Sequence, residues 1–282
     1  MDTETLIDHI VQRLQGVNGL VAIALGGSRA RGTHTPTSDI DLGLYYDLAT
    51  PPDLATLSEI ATELDDEHRT DLVTPLGGWG PWINGGGWLT IQGLPVDFLY
   101  RDLAKVTTIV DQCCAGQVEI AYQPGHPHGF VTSIYMAEIA HCQPLWDASG
   151  KLAALKARTD PYLAALRQAT LAKFWWEVNF SLSVARKATA RGDASYVAGC
   201  CFRAVACLMQ TLFALNGQYL MNEKGAVALA STFPLTIPNL AQRINSAFAT
   251  LSAEPAALDH AVATLESIAK EYELLVNASV TE

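Results

Sequence analysis

The segment Asp39–Tyr46, DIDLGLYY, sets two carboxylates one residue apart at the head of an otherwise apolar run, and any fold for the chain has to accommodate them. In a strand successive side chains alternate between faces, so Ile40, Leu42 and Leu44 point into a core while Asp39 and Asp41 share the opposite face. Two like charges side by side raise each other's pKa and are costly to bury unless a cation lies between them. A sheet carrying this strand therefore has one face for a core. The other either meets water, with both acids solvated, or holds a divalent ion, Mg2+ being the simplest choice for hard oxygen donors.

Upstream, Leu20–Leu25 (LVAIAL) is a continuous apolar run bounded by Asn18-Gly19 and Gly26-Gly27, the pattern of a buried strand. Gly26-Gly27-Ser28 then forms a bend ahead of a helical turn at 28–32, where glycines let backbone N–H groups face an anion at close range. Many strand-to-helix turns use glycine, so the trio gains weight from its distance to the acids. Ten residues separate Ser28 from Asp39, enough for the chain to cross back and lay the DxD strand beside LVAIAL. Arg29 and Arg31 are close enough in sequence to reach a phosphate held at that bend, and equally placed to be solvated at a helix start.

Taken together, GGSRARGTHTPTSDID resembles the signature of the nucleotidyltransferase superfamily related to DNA polymerase β. Small members of that family include kanamycin, streptomycin and lincosamide nucleotidyltransferases and the minimal nucleotidyltransferase antitoxins. The resemblance spans roughly residues 20–105. It implies an NTP donor bound with two Mg2+ ions, Gly26, Gly27 and Ser28 on its phosphates, and Asp39 and Asp41 as metal ligands. A nucleoside monophosphate would pass to an acceptor hydroxyl with release of pyrophosphate, chemistry in which metals spanning nucleophile and leaving group stabilise the transition state. The family usually adds a third acid on a later strand; LPVDFLYRD offers Asp97, as metal ligand or as general base. Asp71, on a candidate strand at 71–75, is the substitute, and Asp102 reads as a helix cap.

The rest of the chain fixes the organisation. Residues 1–14 and 52–68 carry apolar positions at helical spacing, and 88–92 and 96–100 read as strands around a turn at 93–95. From residue 131 onward strand signals are absent, with helices expected near 131–142, 151–157, 160–190, 194–215, 222–231, 237–251 and 255–276. The fold class is thus α+β: a small mixed-sheet domain over residues 1–120, then an all-α helical bundle over 121–282. The bundle resembles the helical domains that follow the catalytic domain in aminoglycoside-type nucleotidyltransferases and, more loosely, HEPN bundles. Arg203 begins RAVACL, with Leu208 where the HEPN nuclease motif has histidine, so nuclease activity is not supported. Within an apolar helix Arg203 must meet a buried acid, Glu177 or Glu223, or a ligand phosphate. Lys224 either reaches the triphosphate or is solvated. The loop 77–88, GGWGPWINGGGW, offers three tryptophans on a glycine frame, as an acceptor-side wall or lid or as a cover for the sheet.

Composition narrows the partners. The net charge of −11, with Lys and Arg scattered, disfavours nucleic acid and suits a cationic or neutral acceptor. The six cysteines form no CxxC element and fit the reduced core of a cytoplasmic protein. His126, His128, His141 and Cys142 lack zinc-site spacing. The N-terminal residues read as an amphipathic helix rather than an export signal, and 196–215, interrupted by Arg203 and Gln210, as a buried helix rather than a membrane span. The expected partners are therefore an NTP and a small hydroxylated acceptor, without a membrane. Nucleotidylation of a protein hydroxyl and a non-catalytic, antitoxin-like nucleotide-binding module are the alternatives.

Overall fold

The structure, a computed structural model, describes residues 2–280; Met1, Thr281 and Glu282, the outermost positions of the two expected domains, lie outside the described residues. The chain opens with α1 (Thr3–Leu14), whose first turn is capped by the Asp2 carboxylate and whose buried face is Leu6, Ile7, Ile10, Val11 and Leu14. Next come β1 (Leu20–Leu25), the single turn α2 (Gly27–Ala30), β2 (Ile40–Tyr46) and α3 (Leu54–Leu64), capped by Asp53. β3 (Gly86–Ile91) and β4 (Leu94–Asp102) form a hairpin about Gln92-Gly93, whose φ angles of 53° and 74° suit a two-residue turn that matches strand twist. α4 (Leu103–Cys114), the short strands β5 (Ile120–Ala121) and β6 (Phe130–Val131), α5 (Ser133–His141), β7 (Gln143–Asp147) and α6 (Lys151–Ala157) follow. The remainder is helical: α7 (Ala164–Thr189), α8 (Ala194–Leu215), α9 (Ala226–Ala230), α10 (Leu240–Ala249) and α11 (Pro255–Val280).

Five strands form one mixed sheet in the order β3-β4-β2-β1-β7, in which only β2 and β4 run parallel. Ile40, Leu42, Leu44 and Tyr46 of β2 and Val96, Phe98 and Tyr100 of β4 pack with α1 and α3 in the core. At the far end of the opposite face, buried Arg101 donates to both carboxylate oxygens of Glu138 on α5, at 2.7 and 2.6 Å. That face is therefore closed by α5 at one end, while its other end carries Asp41 and Asp97.

The chain divides into two compact units: Met1–Asp111 with Ala121–Gly125 and Tyr135–Pro161, and Gln112–Ile120 with His126–Ile134 and Tyr162–Glu282. The last crossing between the two units falls at 161/162. The reason is β7, which pairs with β1 as an edge strand and draws residues 135–161 into the sheet unit. β7 also corrects the expectation of no strand beyond residue 131. Its Pro144 lacks an N–H for a ladder, a composition tolerated at a sheet edge and easily read as loop.

In the second unit α7 and α8 form a helical hairpin across Ala190–Asp193, where Asp193 caps α8 by accepting from Tyr196 N. By length and composition α8 is apolar enough to cross a membrane, and 72% of its most apolar window is buried inside the protein, as befits a core helix. All six cysteines are free thiols.

Candidate active site

Three elements converge on the open end of the sheet. Gly26 N–H donates to Asp41 O at 2.8 Å, tying the bend after β1 to β2. Gly27 follows with φ +59°, and a β-carbon there would stand 1.8 Å from Asp41 Oδ2, so only glycine lets the bend lie against this carboxylate. In the parallel ladder Asp41 is the register partner of Asp97, and in the hairpin Asp97 is the partner of Trp88. Gly27, Asp41, Asp97 and Trp88 thus form a row across the strands, on the face opposite the core.

The acids of the row repel one another. Burial, then the charges of Asp41 and Asp39, push the Asp97 carboxyl up to about 6. Asp39 is exposed and lies just ahead of β2, which begins at Ile40. Among the described residues no three His, Cys, Asp or Glu side chains stand close enough to enclose a metal ion by themselves. Carboxylate oxygen is the donor chemistry Mg2+ prefers, and Mg2+ is commonly held by one or two carboxylates with substrate phosphates and water completing its shell, so the donor set fits.

The two arginines after the bend differ. Arg29 is buried; its Nε donates to Ser38 O at 3.1 Å and Asp39 O at 3.0 Å, and Nη2 to Ser38 O at 2.6 Å. It is buried rather than solvated, and it braces the segment that presents Asp39. Arg31 is exposed and returns one bond, Nε to Gly27 O at 3.2 Å. Ser28 stands half-buried in α2, next to Gly27.

The tryptophan loop is anchored. Gln123 donates to Trp79 O at 2.7 Å and accepts from Trp82 N and Ile83 N at 3.3 Å, Tyr135 donates to Trp82 O at 2.6 Å, and Lys105 lies 4.2 Å from the Trp82 ring centre. Trp79 stacks on Trp88 with ring centres 4.4 Å apart and planes at 19°. Trp88, in β3 as expected for the strand 88–92, remains 61% exposed. The neighbour relation of Trp88 and Asp97 was missed in the sequence because the turn was placed at 93–95. A two-residue turn at Gln92-Gly93 sets 88 opposite 97, and a glycine second in such a pair is the available signal.

Other candidates lie apart from the row. Asp71 is exposed, at φ 57°, and belongs to no strand; only Val73 in that segment makes a bridge, to Gly87. Asp102 caps α4 by accepting from Ala104 N and Lys105 N. Arg203, in the second unit, donates to Glu177 at 2.5 Å and to His128 O at 3.1 Å, the buried-acid alternative of the two expected. Lys224 is exposed, its backbone N–H bonded to Asn222.

Residues 6–79 match the family described as a nucleotidyltransferase domain, and residues 131–224 match one described as a domain of unknown function, DUF4037. No curated protein matches the chain. Among solved structures, a nucleotidyltransferase-like protein from Exiguobacterium sibiricum aligns with 97% of this chain and 75% of its own, at 10% identity and a TM-score of 0.45. The matched segment 6–79 contains the glycine bend, Asp39 and Asp41, and gives the chain a transferase domain of the nucleotidyltransferase type, with an NTP as substrate. Trp88 and Asp97 fall outside it.

Proposed function

We propose that the nucleotidyltransferase domain at residues 6–79, together with the β3–β4 hairpin, is a Mg2+-dependent enzyme that moves a nucleoside monophosphate from an NTP to a hydroxyl of a small molecule, releasing pyrophosphate. The observation that carries this reading is the contact of Gly27 with Asp41, whose register partner is Asp97. It brings a backbone bend suited to phosphate beside carboxylates suited to a cation.

Asp39 and Asp41 would hold the ion with the donor's phosphate oxygens, and Arg29 fixes the segment that presents Asp39. When bound, such an ion neutralises charge on the phosphoryl and leaving oxygens. The bend at 26–28 binds the triphosphate tail, and Arg31 on its outer side offers a cation for the same tail. Asp97 takes the acceptor proton: a carboxyl held near 6 is better matched to a base's work at neutral pH than an ordinary aspartate. As the acceptor oxygen bonds to the α-phosphorus, the bond from that phosphorus to the bridging oxygen breaks and its electrons leave with pyrophosphate.

The test is incubation of the protein with MgCl2, α-labelled ATP, GTP, CTP or UTP, and a panel of small hydroxylated compounds. Pyrophosphate and a labelled small molecule are expected, and Asp41→Asn abolishes both. Full activity in that variant, or label on polypeptide alone, overturns the reading.

A further inference from the structure

The row across the sheet has two unlike ends. One is the glycine bend against Asp41; the other is Trp88, one strand beyond Asp97. With strands ~4.8 Å apart, Gly27 and Trp88 are separated by roughly three such steps, with both carboxylates between. In-line displacement at phosphorus places the entering oxygen opposite the leaving group. If the leaving pyrophosphate lies at the bend, the entering hydroxyl comes from the Trp88 side, past Asp97.

Trp88 is built to receive a ring there. One face of its indole is backed by Trp79, itself tied down through Gln123, yet the side chain is 61% exposed although its strand is otherwise largely buried. An indole held in place on one side and open on the other offers a flat apolar surface at low entropic cost to a partner. The loop's other two tryptophans are less open: Trp79 is half-buried against Trp88, and Trp82 is half-buried with Lys105 over its ring.

We infer that Trp88 is the platform on which a ring of the acceptor lies, so that a hydroxyl on that ring is presented to Asp97. The inference rests on the nucleotidyl-transfer reading and adds to it a demand on the acceptor: a hydroxyl borne on, or next to, a ring with an open face. Trp88 here is a positioning residue for the acceptor and has no role in holding the donor.

The experiment compares the full chain with Trp88→Ala, Trp88→Phe and Asp41→Asn, using Mg2+ and the NTP that serves best. The acceptor probes are kanamycin, lincomycin and N-acetyltyrosinamide, with glycerol as a hydroxyl compound lacking a ring. The expected result is transfer to at least one ring probe well above glycerol. Its KM should rise roughly tenfold in Trp88→Ala and return to near the wild-type value in Trp88→Phe, while the KM for NTP stays within about twofold. Three results overturn the inference: an unchanged acceptor KM in Trp88→Ala, a KM for NTP that rises instead and so puts the donor's base on Trp88, or no preference of the wild type for any ring probe over glycerol. Transfer that survives Asp41→Asn would sink the underlying reading, which is a separate outcome.

Discussion

Asp41 and Asp97 face each other across the only parallel pair of strands in the sheet, and the charge of Asp41 adds to burial in holding Asp97 protonated up to a pH of about 6. Each acid has a different origin in the chain. Asp41 comes soon after the bend, on the next strand, whereas Asp97 arrives through a hairpin more than 50 positions later, so the pair exists only in the folded sheet.

A stability consequence follows from that pair in the metal-free protein. A carboxyl whose pKa is higher folded than unfolded binds more protons when folded, so stability falls as pH rises from about 4 to about 6, and the full cost is present above that window. Asp97 is only half-buried, and solvent screening reduces the cost to about 1 kcal/mol. Asp97→Asn should therefore raise the melting temperature at pH 7.5 in EDTA by a few degrees and change nothing below pH 4. Thermal unfolding across pH 3.5–8 checks it; an equal gain at all pH values would mean that charge is not the cause.

Gly27→Ala tests the close approach. The added β-carbon meets Asp41 Oδ2 at 1.8 Å, and the residue must hold φ +59°, so either the bend or the carboxylate moves. The expected cost is about 1–3 kcal/mol of stability, with loss of Mg2+-dependent NTP binding. Calorimetric titration with Mg2+ and a non-hydrolysable NTP, on material shown to be folded by circular dichroism, is the measurement. Wild-type affinity would show that the bend does not shape the phosphate site.

How much of this was legible in the sequence depends on the range of the interactions involved. β1 at Leu20–Leu25, α6 at Lys151–Ala157 and α8 at Ala194–Leu215 coincide with the expected segments, because an apolar run or helical period closed by glycine or a cap is a local signal. β7 was hidden because Gln143–Asp147 owes its strand to β1, more than 100 residues away, and carries a proline. The bend beside the DxD strand was readable from spacing alone. Arg29 was not: its position after the glycines fits a phosphate ligand as well as a brace, and only the path of Thr33–Ser38 brings two carbonyls to its guanidinium. Trp88 is legible as the start of a strand, but its pairing with Asp97 depends on the turn register.

Ligand linkage gives a third prediction. A ligand bound only by the folded state stabilises it by about 2.7 kcal/mol at a concentration one hundred times its Kd. Mg2+ with NTP at that level should raise the melting temperature of the wild type, and EDTA should cancel the gain. In Asp39→Asn and Asp41→Asn, on material shown to be folded, the gain should vanish. A gain that persists in both variants would remove the cation from these carboxylates.

The half-buried ion pair of the second unit behaves differently from the site acids. Glu177 is mostly buried and pairs with Arg203, whose guanidinium also holds the His128 carbonyl. Arg203→Met leaves the glutamate without its partner and should destabilise by about 2–3 kcal/mol, whereas the double variant Arg203→Met/Glu177→Leu should regain most of the loss. A double-mutant cycle by urea unfolding measures the coupling. Additive losses would show that the two side chains do not depend on each other.

Arg29 and Arg31 separate support of the site from contact with its substrate. Arg29→Ala strips donors from the carbonyls of Ser38 and Asp39 in a part-buried setting, and the lost bonds should cost about 1 kcal/mol. Arg29→Lys should recover little, because one ammonium cannot span two carbonyls as a planar guanidinium does. Arg31→Ala removes one exposed bond and should shift stability by less than about 0.5 kcal/mol, while the loss of a charged contact to the triphosphate raises the KM for NTP roughly tenfold. Urea unfolding and initial-rate kinetics on the three variants give the pattern: stability lost with Arg29, donor affinity lost with Arg31. Were Arg29→Ala to leave stability untouched and raise only the KM for NTP, its side chain would turn to phosphate when the donor binds, and the brace would be a feature of the empty site alone.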